Sequence, residues 1–218
     1  ERNKRVNSVY GTATLSYANK IFLDVTGRND WSSTLPSGNN SFFYPSVSTS
    51  FILSDLLRLP EQISFAKLRA SWAQVGNDTD PYKTAKYYNT SAFPGSASVS
   101  STLYNARFKP EISNSIEVGL DWRMFKQRFG LDLAFYNNIT RNQILDVPMD
   151  QTTGYTKATM NSGKVRNRGI ELQLDGTPVK TKNFTWNSTF TWAKNYNKVL
   201  SLAAGLTDGQ TIAYTGGT

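Results

Sequence analysis

The sequence predicts an all-β fold of antiparallel strands that cross a membrane as part of a barrel, about eight strands of a larger wall. Three observations carry this expectation. Apolar and polar residues alternate in one segment after another, no stretch is apolar enough for a membrane-spanning helix, and the connections alternate between short and long.

The alternation is plainest over residues 115–138. Ile116, Val118, Leu120 and Trp122 fall on one face, and Glu117, Gly119, Asp121 and Arg123 on the other. After a turn at 125–128 the pattern resumes, with Phe129, Leu131, Leu133 and Phe135 apolar against Asp132, Tyr136 and Asn138. A period of two residues on both sides of a turn is a β-hairpin. Strands with about four apolar positions on one face, rising roughly 3.3 Å per residue at a tilt near 40°, cross about 25 Å, the height of an outer-membrane hydrocarbon layer. One hairpin fits a secreted β-sandwich equally well, so the remaining chain must decide.

Composition narrows the function. Cysteine and histidine are both absent, which removes thiol nucleophiles, disulfides, thiolate or imidazole metal sites and every imidazole-based triad. The net charge of +8 is spread over 24 dispersed Lys and Arg without a basic run, so a nucleic-acid partner is not expected. Aromatic residues make up 13%, too many for a disordered chain. The chain opens at Glu1 without a charged-then-apolar leader and stops in a Gly/Thr-rich stretch, and is therefore read as an internal piece of a longer protein.

Taken in order, Val9, Gly11, Ala13, Leu15 and Tyr17 alternate with polar neighbours, and a two-residue Asn19-Lys20 turn leads to Ile21, Leu23 and Val25. Residues 30–45 read as a loop. A third strand covers 46–54, and residues 55–65 hold one helical turn capped by Asp55 and stopped by Pro60. Leu68, Ala70 and Trp72 mark a fourth strand. Residues 77–114 are too long and aperiodic for an ordinary connection. Beyond the central hairpin come a loop at 139–163, a strand with Ile170, Leu172 and Leu174 on one face, and another with Phe184, Trp186, Phe190 and Trp192 on one face.

Short connections near residues 19, 55, 125 and 176 thus alternate with long ones near 30, 77, 139 and 195, which a Greek-key sandwich has no reason to do. Trp122, Phe129, Phe184 and Trp186 lie beside the short turns on the apolar faces, as an aromatic girdle would. Arg166, Arg168 and Lys194 share the apolar parity but sit at the long-loop ends, where they meet lipopolysaccharide phosphates or are plain solvated strand ends.

The string LDVTGRNDWSSTLPSGNNSFFYP at 23–45 resembles the SusC/RagA family of TonB-linked outer-membrane transporters. So do KLRASWAQVGND at 67–78, FKPEIS at 108–113, the central hairpin, and NSGKVRNRGIEL at 161–172. The resemblance implies a 22-strand barrel holding an N-terminal plug, a SusD-like surface lipoprotein partner, and energy supplied through TonB. It implies import of glycans or peptides across the outer membrane, with no cofactor and no enzymatic step. Under it, residues 1–218 are barrel wall, and the plug, TonB box and closing strands lie outside them.

Three sets of candidate residues follow. Trp31, Phe42, Phe43, Tyr44, Tyr82, Tyr87 and Tyr88 offer flat faces to sugar rings or to a lipoprotein partner, or simply pin their own loops. If the central turn has four residues, Asp121 and Asp132 face each other. That is either the carboxylate pair of a retaining glycosidase or, with Arg123, a polar network facing the barrel lumen. Asn77, Asp78 and Asp80 have oxygens at close spacing but lack the other ligands of a calcium loop, so an Asx-type turn is preferred and no metal is expected.

Overall fold

Period-two patterning over more than half of the chain does form strands. The structure, a computed structural model, describes residues 3–84, 88–90, 93 and 95–202. Its strands are β1 (Val6–Tyr17), β2 (Ile21–Ser32), β3 (Ser41–Ile52), β4 (Ile63–Asn77), β5 (Tyr88–Thr90), β6 (Ala97–Val99), β7 (Thr102–Leu103), β8 (Glu111–Met124), β9 (Phe129–Arg141), β10 (Ile144–Pro148), β11 (Lys157–Asn161), β12 (Lys164–Lys180) and β13 (Thr185–Ser201). Eight of these build one sheet in the order β1-β2-β3-β4-β8-β9-β12-β13, with every neighbouring pair antiparallel. This is the expected up-and-down meander.

Residues opposite each other in an antiparallel pair share a face, so the registers define two surfaces. One carries Leu68, Leu120, Leu133 and Leu172 in a continuous row, and the other carries Lys67, Asp121, Asp132 and Gln173. Among the described residues no second layer covers the apolar surface. Leu15, Phe135 and Phe190 are 63%, 47% and 57% exposed, and the long strands contact chiefly the strands beside them in the sheet. A sandwich would stack a second sheet about 10 Å away on those side chains. The fully buried Phe108, with Leu35, Val147 and Ala158, lies in the connections instead.

No helix among the described residues is long and apolar enough to cross a membrane. The strands are. β12 and β13, 17 residues each, reach a height of roughly 40 Å at a 40° tilt, so their ends project beyond an apolar layer of about 25 Å.

Several expectations are corrected. The supposed loop at 30–45 is half strand: β2 runs to Ser32 and β3 starts at Ser41, leaving 33–40 outside. Polarity misled here, because Pro45 reads as a breaker. Yet β3 pairs with β4 only from Ser46 onward, so the missing N–H of Pro45 costs no ladder bond on that side. The first hairpin turns at Ala18-Asn19, both with positive φ, closed by the Lys20 N–H donating to the Tyr17 carbonyl at 2.9 Å. The helical turn is Leu53–Leu56; Asp55 lies inside it, and Ile52 occupies the cap without a side-chain bond.

Loop lengths are also less cleanly sorted than expected, since the connection at 33–40 is shorter than the one at 53–62. The segment at 139–163 and the described residues of 77–114 are structured. β7 pairs in parallel with β11, which pairs with β10, tying the two connections together. Asn161 reinforces the tie. Its Oδ1 accepts from the Lys109 N–H at 2.8 Å, and its Nδ2 donates to the Lys109 and Asn142 carbonyls at 2.7 and 3.0 Å.

The β8–β9 turn holds Phe125, Lys126 and Gln127 at φ 52°, 56° and 66°, a left-handed run without glycine. Each such residue costs about 1–2 kcal/mol, against roughly 0.5–1 kcal/mol of unfolded-state entropy that a glycine adds. Lys126→Gly is therefore expected to stabilise the protein by about 0.5–1 kcal/mol. The check is its urea midpoint after refolding into lipid vesicles, and an unchanged or lower midpoint contradicts it.

Candidate functional site

The polar surface is organised by two arginines, each lying flat across a glycine. Arg69 on β4 stands opposite Gly119 of β8 and reaches over it to Asp132 on β9, with Nη2 and Nη1 donating at 2.8 and 3.3 Å. Its Nε lies 4.0 Å from Glu117. Arg123 on β8 crosses Gly130 of β9 to Asp175 on β12 at 3.4 Å, while its Nε donates to Asp121 at 2.8 Å. Any side chain at these glycines would displace the arginine: an ideal Cβ lies 2.3 Å from Arg69 Nε at Gly119 and 2.3 Å from Arg123 Nη1 at Gly130.

Asp175 also accepts from Gln173 and Thr189, so its carboxylate is fully engaged. These ion pairs are about one-third exposed and act chiefly by fixing orientation. Beside them lies an open recess of about 390 Å³, lined by Arg69, Asp132, Glu171, Gln173 and Thr191 among others.

A second polar cluster occupies the long-loop end of β2 and β3. Arg28 donates to Asp30 at 2.9 Å and to Ser8 at 3.1 Å, and it lies over the Tyr44 ring at 5.8 Å. The Tyr44 hydroxyl donates to Asp30, and Phe42 stacks on Tyr44 with centroids 5.9 Å apart.

Just beyond β4, the Asp78 side chain is 8% exposed and accepts from Lys4 and Ser32 at 2.5 Å and from Thr34 at 3.2 Å. Asn77 donates to Glu111, whose other carboxylate oxygen accepts from the Ile144 N–H at 2.6 Å, and Asp80 pairs with Lys83. The oxygens weighed for calcium are thus directed at protein donors.

Burial works to raise the pKa of Asp78, but the bonds from Lys4 and Ser32 with the Lys4 charge outweigh it and hold the group below the ordinary 3.8. Burial opposes likewise at Asp146, where Lys157 and Thr159 prevail. A carboxylate depressed on folding stabilises above its unfolded value and loses that contribution as pH falls through the folded one. Protection of residues 32–34 is therefore expected to hold down to 3.8 and to fall below it. The check is hydrogen exchange corrected for intrinsic rates; a flat profile, or the same step in Asp78→Asn, contradicts the assignment.

The sequence-picked residues separate into groups. Asp121 and Asp132 are direct cross-strand partners, but they belong to different arginines, Asp121 accepting from Arg123 and Asp132 from Arg69. Sequence reading missed Arg69, Glu117 and Asp175, although parity puts all three on the polar face and in-strand glycines signal close approach. The aromatic group is divided. Phe42 and Tyr44 share the polar surface, whereas Trp31 and Phe43 point from the opposite one, 40% and 58% exposed. These four are strand residues, a correction to their expected place in a loop.

Tyr82 and Tyr88 are exposed on the 78–110 connection, and Tyr87 lies outside the described residues. Arg166, Arg168 and Lys194 lie on the apolar surface toward the long loops, with Arg168 stacked over Tyr196 at 5.3 Å.

Comparison with known proteins agrees with this architecture. The profile of the family described as "TonB dependent receptor-like, beta-barrel" matches residues 1–216. TonB-dependent receptor P26 of Formosa agariphila is 33% identical over 207 residues, covering 91% of this chain and 21% of that protein. SusC of Bacteroides thetaiotaomicron is 25% identical over 211 residues, covering 91% and 21%. The chain thus spans about a fifth of the length of the curated relatives it matches.

Among solved structures, the RagAB peptide transporter superposes with a TM-score of 0.85 at 24% identity, covering 93% of this chain and 23% of that one. The siderophore receptor PirA of Pseudomonas aeruginosa reaches a TM-score of 0.61 at 17% identity, covering 90% and 35%. An open antiparallel sheet, uncovered on its apolar face and charged on the other, matched along nearly its whole length, leaves one conclusion. The chain belongs to the TonB-dependent receptor-like β-barrel family of the outer membrane, a family of transport receptors, and SusC is among its relatives.

Proposed function

We propose that this chain is lumen wall in an importer of the SusC/RagA type, which takes up glycans or peptides with a SusD-like lipoprotein partner and draws its energy from TonB. The observation that carries the reading is the contrast between the two faces. An uncovered apolar face fits lipid, and the polar face opposite holds Arg69 and Arg123 flat across Gly119 and Gly130 toward Asp132 and Asp175.

Catalysis does not fit this wall. Asp121 and Asp132 are both taken up by arginines, so neither is free to face a glycosidic bond. Phe42 and Tyr44, braced by Arg28, are suited to contact a substrate in the lumen or the plug. Trp31 and Phe43 suit the outer aromatic girdle, and Tyr82 and Tyr88 on the long connection suit the lipoprotein.

The test is uptake of fluorescent oligosaccharides and oligopeptides by cells carrying the full-length receptor, with and without TonB and the neighbouring lipoprotein. Uptake of one class that needs both supports the reading. Binding without TonB-dependent uptake of either class overturns it.

A further inference from the structure

The apolar face changes character along one line of the sheet. On β9, β12 and β13 the rows Leu131–Leu174–Phe190 and Leu133–Leu172–Trp192 are wholly apolar, and the next row is Phe135–Ile170–Lys194. Beyond it, on the same face, come Asn137–Arg168–Tyr196, then Ile139–Arg166–Lys198, then Arg141 opposite Lys164. Six cations therefore stand just past the last apolar row, at the long-loop end. Asp and Glu are absent from these positions among the described residues, and none of the six takes part in a described ion pair.

Two features make this more than a solvated rim. Arg166 stands directly opposite Lys198, and Lys164 opposite Arg141; like charges at such positions repel and destabilise a sheet unless something neutralises them. Arg166 Nε is also buried without a hydrogen-bond partner, and the Arg168 guanidinium is braced on the Tyr196 ring, which leaves its N–H edge available. Successive same-face residues are about 6.6 Å apart and adjacent strands about 4.8 Å, so one phosphate can be gripped by two or three of these side chains.

We infer that Arg141, Lys164, Arg166, Arg168, Lys194 and Lys198 form a docking surface for the phosphates of lipid A in the outer leaflet, with acyl chains lying on the apolar rows below. The occupant follows from the pairing of chemistries. Anion-binding groups sit directly above a lipid-contact surface, which suits a phosphorylated lipid and gives a free anion no use for the apolar rows. The inference rests on the membrane placement of this face and not on what the receptor imports.

The test uses the full-length receptor purified in detergent, with native mass spectrometry after adding phosphorylated lipid A or its dephosphorylated form. The phosphorylated lipid is expected to be retained about tenfold or more above the dephosphorylated one. Arg166→Gln/Arg168→Gln/Lys194→Gln/Lys198→Gln should abolish that difference, while Lys20→Gln/Lys126→Gln/Lys182→Gln, at the opposite end of the strands, should keep it.

Equal retention of the two lipids by the unaltered receptor overturns the inference whether or not the variant folds. Displacement of lipid A by equimolar inorganic phosphate overturns the lipid assignment in favour of a free-anion site. A folded quadruple variant that still discriminates places the phosphates elsewhere. TonB-dependent uptake, measured on the same variant, is expected to persist, so loss of lipid binding and failure of the import reading are distinguishable.

Discussion

Gly169→Val is expected to impair assembly of the barrel, with a loss of about 2–3 kcal/mol in any material that folds. An ideal Cβ at Gly169 lies 2.5 Å from the Tyr136 hydroxyl and 2.7 Å from the Lys194 carbonyl oxygen. The tyrosine can swing away, but the carbonyl belongs to the backbone of β13, where Gly169 stands opposite Asn195. Adding a side chain must therefore move one strand of the ladder. Gly11→Val is the matched control, because nothing lies within 4 Å of its Cβ position. Heat-modified mobility of the full-length receptor in outer-membrane extracts, together with its urea midpoint in vesicles, measures both. Equal assembly and equal midpoints for the two variants would contradict the role given to Gly169.

Gly119→Val and Gly130→Val should behave differently, since the atoms they would strike are the movable ends of Arg69 and Arg123. The barrel is expected to assemble and to lose only about 1 kcal/mol per row. Each lost contact is a charge-assisted pair that is one-third exposed, so much of its attraction is already screened by water. The stronger expectation is coupling. If Gly119 acts through Arg69, the change Gly119→Val should cost much less in an Arg69→Met background, where the guanidinium is already gone. A double-mutant cycle on urea midpoints measures this. Additive losses would mean that Gly119 matters for backbone reasons alone, and the flat-lying charge rows would then have no basis.

The hairpin at 115–138 shows how far sequence reaches. Its alternation set both faces, and the four-residue turn set Asp121 opposite Asp132. Nearest-neighbour pairing of that kind is local, fixed by turn length and by a period of two. Arg69 and Asp175 were visible only as polar-face residues of other strands. Their link to the hairpin depends on the registers of β4 with β8 and of β9 with β12. Those registers join strands separated by 33 and 22 residues of connection, whose length sets no offset.

The aromatics divide along the same line. Phe42 and Phe43 are adjacent in sequence, and a one-residue step in a strand sends them to opposite surfaces, which became apparent only once β3 was found to extend through Pro45. The cation rim combines both levels. Parity alone placed Arg166, Arg168 and Lys194 on the apolar face, but Lys198 and Arg141 joined them through pairing across strands.

By itself, then, the sequence determined the strand class, the two-faced character of the sheet and the family, because alternation and ordered blocks of residues are one-dimensional signals. The tertiary structure decided which charges meet. An arginine can bridge to the next strand but one only where the register brings a glycine beneath it, and register is a property of paired strands.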